Sequence, residues 1–202
     1  MKRSLMGLQG WDNANPTDIV YSNAGKLLYI PYLKYTSSMG KAIGVIYMNT
    51  VNTCRIMALN SSSLMATDHG NVLITGNITT TTSSSIATKD YNGQSNTAQM
   101  VGQRGSNCAT AYYCNQYASD GTNKGDWYLP ALGEYLEVAS NKSVFSSAFS
   151  KAGGSVPNTW HVSSTQYSDI RMWALNFVGT HTDNTRKDLA DNKVRPCLII
   201  NY

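Results

Sequence analysis

Strand-like apolar runs stand at both ends of this chain and helix-like periods fill its middle, an order few folds accommodate. Ile19-Val20-Tyr21, residues 27–35, 42–48 and 55–59 are short apolar or aromatic runs separated by turn signals such as Ser22-Asn23-Ala24-Gly25. Ser95 or Asn96 can cap a helix towards Val101, and Asn107 can cap one over 108–117, with Cys108, Ala111, Cys114 and Tyr117 or Tyr113 on one stripe. Pro130 suits the first turn of a third helix with Leu132, Tyr135, Leu136 and Ala139 inward. Ser143 can cap a fourth, with Val144, Phe145, Ala148 and Phe149 inward, ended by Gly153-Gly154. Strand character returns at 160–163, 172–177 and 194–200. Strands, then helices, then strands argue for an α+β fold rather than a parallel βαβ sheet. The terminal strands are expected in one antiparallel sheet, with 194–200 beside a strand from the first 50 residues.

Between these elements lie three irregular stretches. Residues 1–16, with Gly7, Gly10, Asn13, Asn15 and Pro16, read as an arm or linker ahead of a domain over 17–202. The Thr/Ser tract 78–88 suits an exposed hairpin or a loop. Residues 178–192 read as a long polar loop.

A chain of 202 residues can bury a core without disulfide help. Its net charge of +4 is spread along the sequence, which points away from nucleic acid. There is no apolar run of about 18 residues, so no membrane insertion is expected, and Met1-Lys2-Arg3 is not followed by the apolar stretch of a secretion signal. Cys108 and Cys114, six residues apart on one expected helix, would be separated by about 9 Å of rise, too far to bridge. Cys54 and Cys197 could pair if their strands lie side by side; otherwise all four are buried free thiols.

Three segments stand out as landmarks: Gly125-Asp126-Trp127-Tyr128-Leu129-Pro130 with Gly133-Glu134, Val162-Ser163-Ser164-Thr165-Gln166-Tyr167, and Asn192-Lys193-Val194-Arg195-Pro196. Asn92-Gly93-Gln94-Ser95-Asn96-Thr97 and Ala111-Tyr112-Tyr113-Cys114 join them. Together they resemble the Lcl C-terminal domain family, which has a C-type-lectin-like fold: an antiparallel sheet with helices packed on it and long irregular loops. The chain departs from that pattern at Val162, where Trp is common, at Gln166 for Glu, and at Leu198 for Arg. Trp160 is read as filling the space of the missing Trp, in the core with Trp127 and Trp173. Within that group the chain resembles variable proteins of diversity-generating retroelements, of the bacteriophage major tropism determinant type, in which rewritten adenines alter side chains near the C-terminus.

The resemblance implies a recognition module at a virion or cell surface, binding a protein or glycan ligand on another cell, and it leaves homo-oligomer formation open. It directs attention to 168–192, where mixed polar chemistry is interrupted by isolated apolar residues. The candidate ligand-binding residues are Ser168, Asp169, Ile170, Arg171, Ala174, Thr180, His181, Thr182, Asp183, Thr185, Lys187, Leu189 and Asp191. Residues two apart in a strand share a face, so either Ile170, Met172 and Ala174 or Arg171, Trp173 and Leu175 should be outward. Thirteen Tyr with abundant Ser, Asn and Gly match the palette of binding loops.

Catalytic and metal chemistries are weakly supported, and neither enzyme activity nor a cofactor is expected. His69, His161 and His181 lack a ligand spacing. The turn Asp120-x-x-Asn123-x-Gly125-Asp126 lacks the acidic end of a calcium loop, and the lectin calcium triplets Glu-Pro-Asn and Gln-Pro-Asp are absent. Glu134 and Glu137 read as a solvated helix face. The alternatives are a phage or bacterial structural adhesin of fixed specificity and, by likeness of fold alone, an enzyme of the formylglycine-generating type.

Overall fold

The computed structural model describes residues 10–202. Six antiparallel strands form a large sheet: β1 (Ile19–Asn23), β2 (Lys26–Ile30), β3 (Lys41–Asn49), β4 (Thr53–Ala58), β5 (Trp127–Tyr128) and β9 (Cys197–Asn201), in the order β2-β1-β3-β4-β9-β5. A smaller antiparallel sheet holds β6 (Trp160–Gln166), β7 (Arg171–Asn176) and β8 (His181–Arg186), with β7 central. The helices α1 (Ser84–Ala87), α2 (Gly93–Arg104), α3 (Ala109–Gln116), α4 (Leu132–Ser140) and α5 (Lys142–Lys151) come between β4 and β6 in sequence. The architecture is mixed α+β.

Alternation along β1, β3, β4 and β9 divides the large sheet into two apolar faces. Ile19, Tyr21, Val45, Tyr47, Met57 and Cys197 face α4 and α5. Val20, Ile46, Cys54, Ile56, Leu198 and Ile200 face the other way, where Trp11, Ala14 and Trp127 cover them. A third cluster, with Met100, Ala111, Cys114, Leu129, Val162 and Met172, joins α2 and α3 to the small sheet. α4 packs against β3 on one side and β6 and β7 on the other, which ties the two sheets together.

Several expectations need correction. The C-terminal strand does lie in the sheet that holds the N-terminal strands, but its direct partners are β4 and β5, not a strand from the first 50 residues. β2 stops at Ile30 because Pro31 cannot donate to a ladder, and 32–34 is a 3₁₀ turn. The Thr/Ser tract is no hairpin: Ser84–Ala87 makes one helical turn that buries Ala87. α2 begins at Gly93, so Asn96 is an interior helix residue and not its cap. Asn107 lies in a 3₁₀ turn ahead of α3, and Cys108 precedes that helix. Pro130 stands two residues before α4, and α5 starts at Lys142, which turns Val144 outward. The expected loop 178–192 contains β8. Of the expected arm, residues 1–9 lie outside the described residues; Trp11 and Ala14 are buried, and Asn49 Nδ2 donates to both of their carbonyls at 3.0 and 2.7 Å.

Cys54 and Cys197 do lie on neighbouring strands, opposite Ile200 and Met57 respectively. They point to opposite faces of the sheet, so no rotamer change brings the sulfurs together, and all four thiols are free and buried.

Glu134 is the largest departure. It is fully buried, not part of a solvated face. Its Oε1 accepts from Tyr128 Oη (2.7 Å), Tyr47 Oη (3.2 Å) and the Arg55 guanidinium, and its Oε2 accepts from the Ala131 N–H at 2.8 Å. Burial pushes the carboxyl up, while Arg55 and these donors favour the charged form. Gly93 is required beside it, because a Cβ there would lie 2.2 Å from Glu134 Oε2. Glu137 is half-buried and accepts from Tyr91 Oη at 2.5 Å.

Candidate functional site

The C-terminal hairpin forms the centre and free edge of the small sheet. β7 and β8 pair in unbroken register from Arg171↔Arg186 to Asn176↔His181. The turn between them is tight: Asn176 Oδ1 accepts from Val178 N at 3.0 Å, and Thr180 takes φ +53°. β8 is an edge strand, and its side chains are half to fully exposed along its whole length. Behind it, Lys187 turns inward. Its ammonium donates to the Val72 carbonyl (2.7 Å) and to Gln166 Oε1 (2.8 Å), and burial lowers its pKa to about 8. Gln166 also joins both backbone groups of Ile74, so it ties loop, strand and lysine together.

The thirteen candidate residues divide clearly. Asp169, Ile170, Thr180, His181, Asp183, Leu189 and Asp191 are exposed, and Ser168, Arg171, Thr182 and Thr185 are half-buried. Lys187 and Ala174 are both only 1% exposed, which contradicts their reading as surface contacts. For Ala174 the cause is the central position of β7: Met172 faces one cluster and Trp173 and Leu175 another, so neither expected set is outward. Arg171 donates to Asn184 Oδ1 at 2.7 Å.

Between the hairpin and the returning chain is a cavity of about 190 Å³. Ala174 lies in its lining, surrounded by Trp160, Asp183, Asn184, Thr185, Asp191 and Asn192. Four candidates, Ala174, Asp183, Thr185 and Asp191, therefore meet in one concavity. Trp160, Asn184 and Asn192 were not among the candidates. Trp160 is half-buried rather than a core residue, since it starts β6 opposite Asn176 at the end of the sheet. Strand alternation sets Asn184 on the other face of β8 from Asp183 and Thr185, so no sequence signal joined it to them, and the antiparallel bridge that brings Asn192 beside Met65 leaves no mark in the sequence.

Other concavities and polar clusters carry less chemistry. A groove of about 570 Å³ along α3, lined by Met65, Tyr112, Tyr113 and Tyr117 among others, contains no charged side chain. Ser61 Oγ lies 2.6 Å from His161 Nε2, a pairing that resembles a nucleophile and its base. Arg195 Nε and Nη2 both donate to that oxygen, at 3.0 and 2.9 Å, so the hydroxyl proton goes to His161 and the oxygen's bonding is complete. His161 Nδ1 then donates to the Thr159 carbonyl at 3.0 Å, and burial lowers the ring's pKa to about 3. The arrangement holds the buried Arg195, whose Nη1 also serves the carbonyls of Leu59 and Ser155. Among the described residues no group of three or more His, Cys, Asp and Glu could hold a metal ion. No helix among them is long and apolar enough to cross a membrane.

The sequence matches no protein-family model, and no curated protein matches it in sequence. Among solved structures, a fimbrial protein from Bacteroides ovatus ATCC 8483 has a similar fold, with a TM-score of 0.67 at 10% identity over 94% of this chain and 49% of that one. The chain thus spans about half the length of that structure, and at this identity the likeness is one of fold.

Proposed function

We propose that this chain is a non-catalytic ligand-binding domain of C-type-lectin-like architecture whose C-terminal hairpin face carries specificity at a cell or virion surface. The observation that supports it best is the edge hairpin itself. Eleven of the thirteen candidate side chains on and around it are partly or wholly exposed, and three of these, Asp183, Thr185 and Asp191, line a cavity beside Ala174 on a strand covered on both faces. Adaptable polar contacts on a fixed frame are the usual construction of a recognition surface. The family landmarks favour a surface whose side chains are varied by a retroelement. A near-copy of the last part of the gene, differing at adenines alone, is the expected genomic sign. The similarity to a fimbrial protein favours the second reading, an adhesin of fixed specificity, and makes assembly with copies of itself or other subunits a reasonable expectation.

The test compares fluorescently labelled parent with a variant in which Asp169, Ile170, Thr180, His181 and Leu189 are replaced together. Both are applied to a glycan array and, by flow cytometry, to intact bacterial cells. A target bound by the parent and lost by the variant supports the reading. Equal binding by both, or no target for the parent, counts against it.

A further inference from the structure

The cavity beside Trp160 has a definite chemical bias. Asp183 and Asp191 line it, and neither belongs to an ion pair among the described residues. Of the nearby cations, Arg186 forks onto Asp188, with Nε and Nη2 at 2.9 and 2.6 Å. Arg171 donates to the Oδ1 of Asn184 at the cavity wall; it pairs with Arg186, on the other face of the hairpin from Asp183. Lys193 follows Asn192 in extended backbone, where successive side chains take opposite sides, and its charge acts on His161. The amide of Asn192, a residue 3% exposed, spends its two N–H donors on Thr185 Oγ1 and Asp191 Oδ1. Its side-chain Oδ1 accepts from no described residue, while the Asn192 main-chain carbonyl accepts from Met65 N at 2.9 Å. Asp183 Oδ1 is occupied by the Asn184 main-chain and side-chain N–H groups, which leaves Oδ2 open.

The cavity therefore presents carboxylate and amide acceptors, with two carboxylates that form no ion pair among the described residues, beside a half-buried indole. A sugar ring needs donors and acceptors in comparable number, because every hydroxyl is both. A guanidinium supplies donors only, carries the opposite charge, and stacks on an indole face. The volume, about 190 Å³, suits one side chain rather than an extended ligand. We infer that the Trp160 cavity receives a single cationic side chain of a protein ligand, with arginine the best fit. This rests on the hairpin face being the recognition surface.

The test follows the Trp160 indole and Asn192 side-chain amide signals by heteronuclear NMR at low salt. The probes are Nα-acetyl-arginine methylamide, its neutral citrulline counterpart and methyl α-mannopyranoside. The arginine probe should produce saturable shifts with a dissociation constant on the order of millimolar, as befits a one-residue fragment. Citrulline should bind at least tenfold more weakly, and the combined Asp183→Asn, Asp191→Asn variant should lose the arginine response without a change in melting temperature. Equal binding of citrulline, tighter binding of the mannoside, an arginine response that survives in the double variant, or no response to arginine would each overturn the inference. Cell binding separates this from the broader reading. If the double variant binds cells like the parent while the five-residue face variant does not, the cation site is wrong and the face is right. If both variants bind like the parent, the face reading fails as well.

Discussion

Two polar regions of the molecule are made from similar residue types and have opposite fates. Inside, Glu134, Arg55, Tyr47 and Tyr128 form a cluster whose carboxylate is fully engaged, and Arg195 is enclosed by Ser61, three carbonyls and the Phe149 ring 5.5 Å away. On β8, Asp183 Oδ2 accepts from no described residue and His181 faces solvent, as does Thr180 in the preceding turn. Matched bonding makes a polar group part of the frame, because an unmatched buried donor or acceptor is costly. The Glu134 carboxylate is matched at both oxygens, whereas Arg55 Nε is buried without an acceptor among the described residues. Incomplete bonding at the surface leaves capacity for a partner. The difference lies in the partners and not in the composition.

The sharpest way to break this comparison is to open the interior cluster. Glu134→Ala strands the Arg55 charge and the Ala131 N–H and leaves Tyr47 and Tyr128 with only each other, and should cost about 3–5 kcal/mol in urea melts, as for other buried pairs deprived of one member. A cost below about 1 kcal/mol would mean that the cluster is not part of the frame.

Trp127→Ala tests the apolar part of the same frame. The ring is 1% exposed, packs edge-on to Tyr117 at 5.0 Å between centroids, and donates to Thr122 Oγ1 at 2.8 Å. A loss of about 3–5 kcal/mol is expected at the upper end of buried aromatic truncations. A small shift in the thermal melt would place Trp127 outside the core.

Acidification comes next. Burial lowers the folded-state pKa of His161 from 6.5 to about 3, so the unfolded chain binds more protons throughout that interval. Stability should accordingly be intact above about pH 6.5 and fall as pH drops towards 3, by an amount on the order of a few kcal/mol. His161→Gln should flatten that dependence in urea titrations at pH 7 and pH 4.5. An unchanged slope would show that other groups govern it.

The smallest effect belongs to the hairpin. Replacing Asp169, Ile170, Thr180, His181 and Leu189 should change stability by less than about 0.5 kcal/mol per position, even though ligand binding is lost. If the combined variant unfolds, the face is structural and the contrast between the two regions disappears.

Much of the frame was legible from local pattern. The α+β order, the helices around 109–151 and the buried Trp127 follow from spacing and turn chemistry, whereas 178–192 showed its polarity but not that it holds β8. Glu134 misled because helical periodicity assigns it to a solvent face, whereas α4 is packed between β3 on one side and β6 and β7 on the other and has little solvent face to give. Trp160 misled in the opposite sense: an indole is normally core material, but this one starts a strand at a cavity.

By itself the sequence determined most of the apolar strands and helices and which stretch near the C-terminus stays polar, because those outcomes depend on residues a few positions apart; β8 and the short helix at Ser84–Ala87 were not among them. The tertiary structure alone decided which polar groups are buried. Arg55 reaches Glu134 across 79 positions and Lys187 reaches Val72 across 115. A charged side chain enters the interior only when such a distant partner meets it, and nothing in its own neighbourhood of the chain records that the partner will arrive.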